Sequence, residues 1–491
     1  MKNEIDSSDW ESARLIPVSG IRNAEEQERR ATSALLAVIS AVNEFGLLIT
    51  RPLGAPKNKL NTFIEVSFEL QDGRKVRPDG VIQTSRGTRT WTALVEVKTG
   101  TNDLEKEQIE AYLDLAKEQE YDCVITISNQ IAKIPGEHPV DIDKRKAKKV
   151  ALHHLSWSRV ITMAVLQKSH YGVADPDQAW ILGELIRYLQ HPNAGSIDFC
   201  DMGEHWVKVR DAVKHGTLRQ SDKESIEVAG KWEELVSFAA LRLGRKLGTD
   251  VQEILSSKER GDISLRINTI VESMVQHSVM PADLRIPNTV GNIRLTADLR
   301  AEQIIASTTV SAPKTGRAAT RINWLLRQLK SAPENLRLES WGHRARTSNS
   351  DLLVNVRKDQ SLLVPVDNRE IVSFTISIFR SMGSKRATGK RSFIDSVLKT
   401  LDEFYGDVVQ YLKEWQPAAP KLDRTADSDT ESQPKDVPTD NKSESSESNS
   451  SVDDVHSVAP DFDSPVKSEV IVESNNVGPP IDEDSQSSQP S

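Results

Sequence analysis

The chain has 491 residues, of which 37% are apolar and 27% charged, with a formal net charge of −9. That length allows two or three domains, and no apolar run approaches the roughly 20 residues that a membrane-spanning helix needs. The two cysteines, Cys123 and Cys200, supply neither a disulfide framework nor a zinc site. The N-terminus (MKNEIDSSDWESARL) lacks an apolar signal core, so a reducing cytoplasm is the expected compartment. The charge is unevenly spread. From Pro417 onward there are 17 acidic and 5 basic residues, a net of −12 against the chain's −9, so residues 1–416 carry +3. A slightly basic folded part is compatible with nucleic-acid binding through local patches.

Residues 1–20 show no periodicity and read as an N-terminal extension. Ile21–Gly46 reads as a helix, with Leu35, Leu36, Ile39 and Val42 on one face and a glycine near its stop. Asn61–Leu70 (NTFIEVSFEL) alternates like a strand, and Asp72-Gly73 is its turn. Lys75–Gln83 and Thr90–Thr99 read as strands on either side of the polar, glycine-containing hairpin Thr84–Arg89. Asn102 or Asp103 is expected to cap a helix running to about Gln119. Tyr121–Ser128 is an apolar strand holding Cys123 as a small core residue. Val150–Trp157 reads as a further strand and Ser158–Lys168 as a helix.

Residues 175–283 read as a mainly helical domain, with amphipathic stretches at Gln178–Gln190, Lys231–Leu247 and Val251–Ser257. Residues 284–416 read as an α+β domain. It has strand-like runs at 292–300, 351–357, 361–366 and 370–379, the helix Arg321–Lys330 and a closing helix Phe393–Trp415. Trp157, Trp180 and Trp324 are expected in the core. Residues 417–491 are Ser-, Asp-, Glu- and Pro-rich, bury too little apolar surface to offset ordering entropy, and are expected to be disordered. His153 and His154 are neighbours on a strand and face opposite ways, so they do not share a metal. The run Gly383–Arg391 misses the P-loop spacing by one residue and has Arg391 where Ser or Thr is required. Its cations, with Arg380, read as a phosphate-binding patch or a solvated loop. No helix-turn-helix or zinc-finger signature appears.

The chemistry concentrates in Arg77-Pro78-Asp79 and Glu96-Val97-Lys98. Folding the hairpin at Thr84–Arg89 brings Asp79 beside Glu96. Residues alternate faces on a strand, so Glu96 and Lys98 share one face while Val95 and Val97 take the other. Two carboxylates and an ammonium then converge, and hard oxygen ligands suit Mg2+ or Mn2+. A solvated face, with Glu96 and Lys98 paired across to Asp79, is the plainer reading. It conflicts with the apolar Leu94, Val95 and Val97, which mark a buried strand whose charges need partners or a metal.

The order helix, three strands, helix, strand, with Asp79 and Glu96-x-Lys98 in place, resembles the PD-(D/E)XK nuclease superfamily over residues 21–172. The helix after Lys98 carries Gln108-Ile109-Glu110-Ala111-Tyr112, which resembles the QxxxY motif of the RecB-type and lambda-exonuclease-type branch. Gln108 and Tyr112 share one helix face. The resemblance implies an α/β restriction-endonuclease-like αβββαβ core and a metal-dependent deoxyribonuclease. It implies Asp79, Glu96 and the Val97 carbonyl around Mg2+ or Mn2+, with Lys98 positioning the nucleophile and Gln108 and Tyr112 orienting substrate. Many members add an acid from the first helix. Glu28 lies on the Leu35/Ile39 face and is the first candidate, Glu25 the second, with Glu65 and Glu69 weaker ones. DNA is the implied partner, RNA stays open, and a setting in bacterial defence or DNA repair fits. The superfamily also has binding members with decayed sites, so a catalytically inactive scaffold, with residues 175–416 binding a partner or acting as a sensor, is the alternative.

Overall fold

The computed structural model describes residues 13–132, 138–365, 367 and 369–417, apart from the Lys144 side chain. The acidic tail from residue 418 and most of the expected N-terminal extension lie outside the described residues. The chain is mixed α/β. Asn23 caps α1 (Ala24–Ala41), its side chain accepting from the Glu26 N–H. The expected single helix through Gly46 is instead two, because Val42 is extended and α2 (Asn43–Thr50) leaves at a bend of 107°. Gly46 makes the bend compact, since a Cβ there would lie 2.3 Å from the Ile39 carbonyl oxygen. By length and composition this bent pair passes for a broken membrane span, but its apolar residues are buried in the core, and no single described helix is long and apolar enough to cross a membrane.

The run expected as one strand over Asn61–Leu70 breaks at Glu65, whose φ is +57°. It yields β1 (Asn61–Ile64) and β2 (Phe68–Glu69). The latter pairs with β3 (Lys75–Val76) in a separate ribbon. After Pro78 come β4 (Gly80–Arg86) and β5 (Arg89–Val97), joined by a tight hairpin at Gly87, φ +64°. Helix α3 (Lys106–Glu118) starts later than expected, and neither Asn102 nor Asp103 caps it: the N-cap position is Glu105. Then follow β6 (Cys123–Ser128), the short α4 (Lys144–Ala147), β7 (Ala151–Ser156), α5 (Trp157–Leu166) and α6 (Pro176–Leu189).

The first sheet has the order β1-β4-β5-β6-β7. The pairs β1/β4 and β4/β5 are antiparallel; β5/β6 and β6/β7 are parallel. The crossover from β5 to β6 carries α3 to one face, as a parallel connection requires. Ala93, Val95 and Val97 pack on the opposite face with α1, α2, α5 and α6. Leu94 and Val124 pack with Ile109, Tyr112 and Leu113 of α3. Covered on both sides, β5 is buried from Trp91 to Val97. Cys123 and Trp157 are buried as expected, whereas Trp180 is 56% exposed on the outer face of α6 and anchors nothing.

Beyond α6 run α7 (Trp206–Lys214), α8 (Lys223–Leu247), β8 (Gln252–Glu253), α9 (Ser257–Gly261), α10 (Ile263–His277), β9 (Val279–Arg285), β10 (Ile293–Asp298) and β11 (Gln303–Ser311). They are followed by α11 (Ala318–Gln328), β12 (Arg337–Gly342), β13 (Asn349–Leu352), α12 (Leu353–Lys358), β14 (Ile371–Ser381) and α13 (Phe393–Asp407). Strands β8–β14 form one antiparallel sheet in the order β13-β12-β14-β11-β10-β9-β8. Its inner face shares a single apolar core with α7, α8, α10, α11 and α13, so the stretches divided at 283/284 in the sequence pack together. Three elements differ from expectation. The run Val251–Ser257 holds β8, an edge strand on β9, and only its last residue is helical, as the start of α9. The run 351–357 is the end of β13 plus α12, and 361–366 opens as a 3-10 turn. Strands β9, β11 and β12 alternate weakly because Ala282, Ala306, Thr308 and Ser340 hold inward positions where large apolar residues would mark a strand, and Pro281 interrupts the outward side of β9. Trp324 is only partly buried, against the core rather than in it. The basic loop after β14 is pinned. Arg380 pairs with Glu403 at 2.8 Å and Arg386 with Asp201 at 3.4 Å, while the Thr388 N–H donates to the Cys200 carbonyl.

Candidate active site

Asp79, Glu96, Lys98 and Glu28 meet at the C-terminal end of β5. Asp79 directly precedes β4, and its Oδ2 accepts a hydrogen bond from the Val97 N–H at 2.8 Å. Glu96 points to the α3 side of the sheet and is 1% exposed. Lys98 is fixed at both ends of its main chain. Its N–H donates to the Ile127 carbonyl at 2.8 Å, and its carbonyl accepts from the Trp157 indole N–H at 2.9 Å. The ammonium, with the side chain 14% exposed, lies 2.7 Å from Glu96 Oε1 and donates to Glu28 Oε1 at 3.2 Å. Glu28 reaches the site from the first turns of α1, on the face that Leu35 and Ile39 bury. From α3, the Tyr112 hydroxyl donates to the Arg77 carbonyl at 3.2 Å and accepts from Gln108 Nε2 at 2.9 Å. Gln108 therefore supports Tyr112, and Tyr112 borders Glu96.

The electrostatics follow from burying three carboxylates around one ammonium. Burial, reinforced by the charge of Asp79 and opposed by Lys98, pushes Glu96 up to about 8. Burial also raises Asp79, against the Val97 N–H and Lys98, and raises Glu28, against Lys98. Burial works against the Lys98 charge, but the carboxylates of Glu96, Glu28 and Asp79 outweigh it and hold the ammonium protonated. Tyr112 is held as a hydroxyl by burial and by the Glu96 charge.

Among the described residues, no aligned donor serves either oxygen of Glu96, although Lys98 is close. A buried carboxylate left short of donors is costly, and a divalent cation would satisfy it. The donors on offer are all oxygen, which suits Mg2+ or Mn2+ and not a thiophilic metal. Among the described residues no group of three or more His, Cys, Asp or Glu side chains is spaced as a complete cage. An ion held here would rest on Asp79 and Glu96 and keep several waters, as Mg2+ does. Val97 enters the site through its main-chain N–H to Asp79.

The remaining acidic candidates separate clearly. Glu25 is largely exposed and pairs with Arg29 at the rim of the cleft that Glu28 and Asp79 line. Glu69 is exposed on β2, away from it. Glu65 lines a cleft of about 200 Å3 together with Glu28, Arg29, Arg77 and Asp79. Sequence reasoning did not assign roles to Asn102, which lies beside Glu28 and favours its charged form, or to the Trp157 indole on Lys98. Asn102 read as a helix cap because Asn favours such positions; nothing in its spacing pointed back to α1. His154 is structural, bonded to Thr126 Oγ1 at 2.9 Å and the Gln130 carbonyl at 2.8 Å, and burial pushes it down to about 4, so it stays neutral.

Comparison with protein-family models, curated proteins and solved structures gives no match to this chain.

Burial of the Glu96 carboxylate also makes stability depend on pH. Glu96→Gln, which mimics the protonated acid, is expected to stabilise the ion-free protein by about 1–3 kcal/mol at pH 8 and to be near neutral at pH 5. The sign follows from the raised value. Between the ordinary 4.5 and about 8 the folded state binds the proton more tightly, so stability falls as pH rises through that window. Denaturant titrations in EDTA at both pH values measure this, and a loss of stability at pH 8 would contradict it.

Proposed function

We propose that this chain is a metal-dependent nuclease hydrolysing DNA phosphodiesters, with a restriction-endonuclease-like core in its first sheet. The observation that carries the reading is the pairing of the half-buried Asp79 with the buried Glu96, beside Lys98, at the open end of a central strand. Buried charge of this density costs stability, and a functional site is its ordinary explanation. The sheet order and the placement of α1 and α3 on opposite faces support the resemblance to PD-(D/E)XK nucleases.

Asp79 and Glu96 would hold Mg2+ or Mn2+. When bound, the ion polarises the phosphodiester and lowers the pKa of a neighbouring water. Lys98, held protonated by its carboxylates, positions the attacking water and offers positive charge to the phosphate as negative charge builds. Glu28 fixes the Lys98 ammonium from the opposite side. Tyr112, locked as a neutral donor and buttressed by Gln108, borders Glu96 and orients the strand being cut. The similarity of Gln108 and Tyr112 to the QxxxY motif favours end-dependent or single-strand processing.

A second reading has its own observation. Lys98 contacts both Glu96 and Glu28, so the cluster is partly neutralised from within, as in a catalytically silent scaffold. Cleavage of labelled linear, circular and single-stranded DNA, and of RNA, in Mg2+, Mn2+ or EDTA separates the two. Metal-dependent cutting supports the nuclease. Absence of both cutting and metal binding supports the scaffold.

A further inference from the structure

We propose that Arg29 and Arg77 form a phosphate clamp for the nucleic-acid strand entering the site, and that Glu65 occupies this clamp when substrate is absent. The inference rests on the nuclease reading. Each Glu65 oxygen meets a different guanidinium: Oε1 lies 3.0 Å from Arg29 Nε and Oε2 lies 2.9 Å from Arg77 Nη2. A carboxylate bridging two guanidiniums presents the same pair of acceptor oxygens as a backbone phosphate, and Arg is the side chain best shaped to take either.

The clamp is tied to the catalytic groups by the chain itself. Arg29 follows Glu28 on α1, and Arg77 is two residues before Asp79. Arg77 is further fixed by its carbonyl, which accepts from Tyr112. Both arginines open onto the cleft that Glu28 and Asp79 also line. Glu65 is placed with some cost. Its φ of +57° is rare for a non-glycine residue, it interrupts the strand between β1 and β2, and its N–H donates to the Asp79 carbonyl at 3.3 Å. A strained residue inserted against the backbone of Asp79, with its carboxylate spanning two cations, is placed like a stopper.

The stopper is removable. The side chains of Arg29, Glu65 and Arg77 are 58%, 39% and 53% exposed, and exposed ion pairs hold weakly and are screened by salt. Glu25 also pairs with Arg29, through Nη2 at 3.0 Å beside the Nε that meets Glu65, and lines the same cleft, but it is more exposed still. A polyanionic strand brings several phosphates at once and releases counterions as it docks, so it outcompetes one carboxylate.

The test measures binding of labelled single-stranded and duplex oligonucleotides by anisotropy across a salt series, with Ca2+ and with EDTA, beside Mg2+ cleavage rates. The proteins are full-length wild type, Glu65→Gln, the Arg29→Ala/Arg77→Ala pair and the triple variant, each checked for folding by circular dichroism. Glu65→Gln is expected to tighten binding about threefold to fivefold. The arginine pair is expected to weaken it about tenfold or more and to reduce the salt slope by about 2. The gain from Glu65→Gln must vanish once both arginines are gone. A gain that persists in the triple variant, or an arginine pair with unchanged affinity and slope, overturns the clamp. If those variants also cleave like wild type, the nuclease reading survives alone. If wild type neither binds nor cleaves under any condition, both readings fall together.

Discussion

Asp79→Asn is expected to lower metal-dependent cleavage by roughly three orders of magnitude, about 4 kcal/mol of transition-state stabilisation, while leaving the fold intact. The substitution is chosen for what it keeps. Asp79 Oδ2 accepts from the Val97 N–H, and an asparagine carbonyl oxygen can accept the same hydrogen bond. Only the charge is removed, and with it half of the carboxylate pair. On the proposed nuclease reading, Lys98→Ala should cost as much activity by a different route, since it removes the positive group that would face the reacting phosphate. It also leaves Glu96 and Glu28 without their shared ammonium, so their protons will be held to still higher pH. The two variants are therefore expected to differ in metal affinity. Asp79→Asn should abolish a Mg2+-induced rise in denaturation midpoint, whereas Lys98→Ala should retain it at pH 9 and lose it near pH 6. Gel-based cleavage with parallel melts checks both. Wild-type rates in either variant would end the assignment of these residues.

The site was legible in the sequence because it is written in a strand. Val95 and Val97 flanking Glu96 identify a buried strand carrying a charge, and the alternation places Lys98 beside Glu96 with no further information. The i, i+4 spacing of Gln108 and Tyr112 likewise anticipated their contact, although not that Gln108 would serve Tyr112. Glu28 was separable from Glu25 by its position on the apolar stripe of α1. What remained hidden depends on contacts between distant segments. The Trp157 indole reaches Lys98 from 59 residues away, and Arg29 meets Arg77 only through Glu65. The break at Glu65 was invisible because the alternation of NTFIEVSFEL continues across it. In the second sheet, strands with alanine, threonine or serine inside gave too weak an alternation to read, whereas β14, with Phe374, Ile376 and Ile378 inward, was plain.

The largest stability effect is expected outside the site, at Arg266. This residue belongs to α10, and its guanidinium donates to Glu233 Oε1 of α8 at 3.0 Å and to the Pro281 carbonyl of β9 at 3.0 Å. Glu233 is fully buried, and its second oxygen has no hydrogen-bond partner among the described residues. Arg266→Leu would keep the apolar stem of the side chain but leave Glu233 without its cation. Breaking a buried pair from one side costs about 3–5 kcal/mol, whereas replacing both partners costs far less. Hence Arg266→Leu with Glu233→Met should recover most of the loss. The penalty should also depend on pH in a fixed direction. Burial raises Glu233, and burial together with the Glu233 charge pushes the neighbouring Glu253 up to about 8, against the hydrogen bond from Ser237 and the charge of Arg266. Removing the arginine raises both carboxyl groups further. A folded state that holds protons more tightly than the unfolded chain loses stability as pH rises from the ordinary 4.5 through the raised values. The single variant should therefore be closest to wild type near pH 5 and furthest from it at pH 8 and above. Urea titrations of the wild type, the single and the double variant at both pH values decide the matter. Equal losses at pH 5 and pH 8 would mean that Arg266 acts through packing and not through its charge.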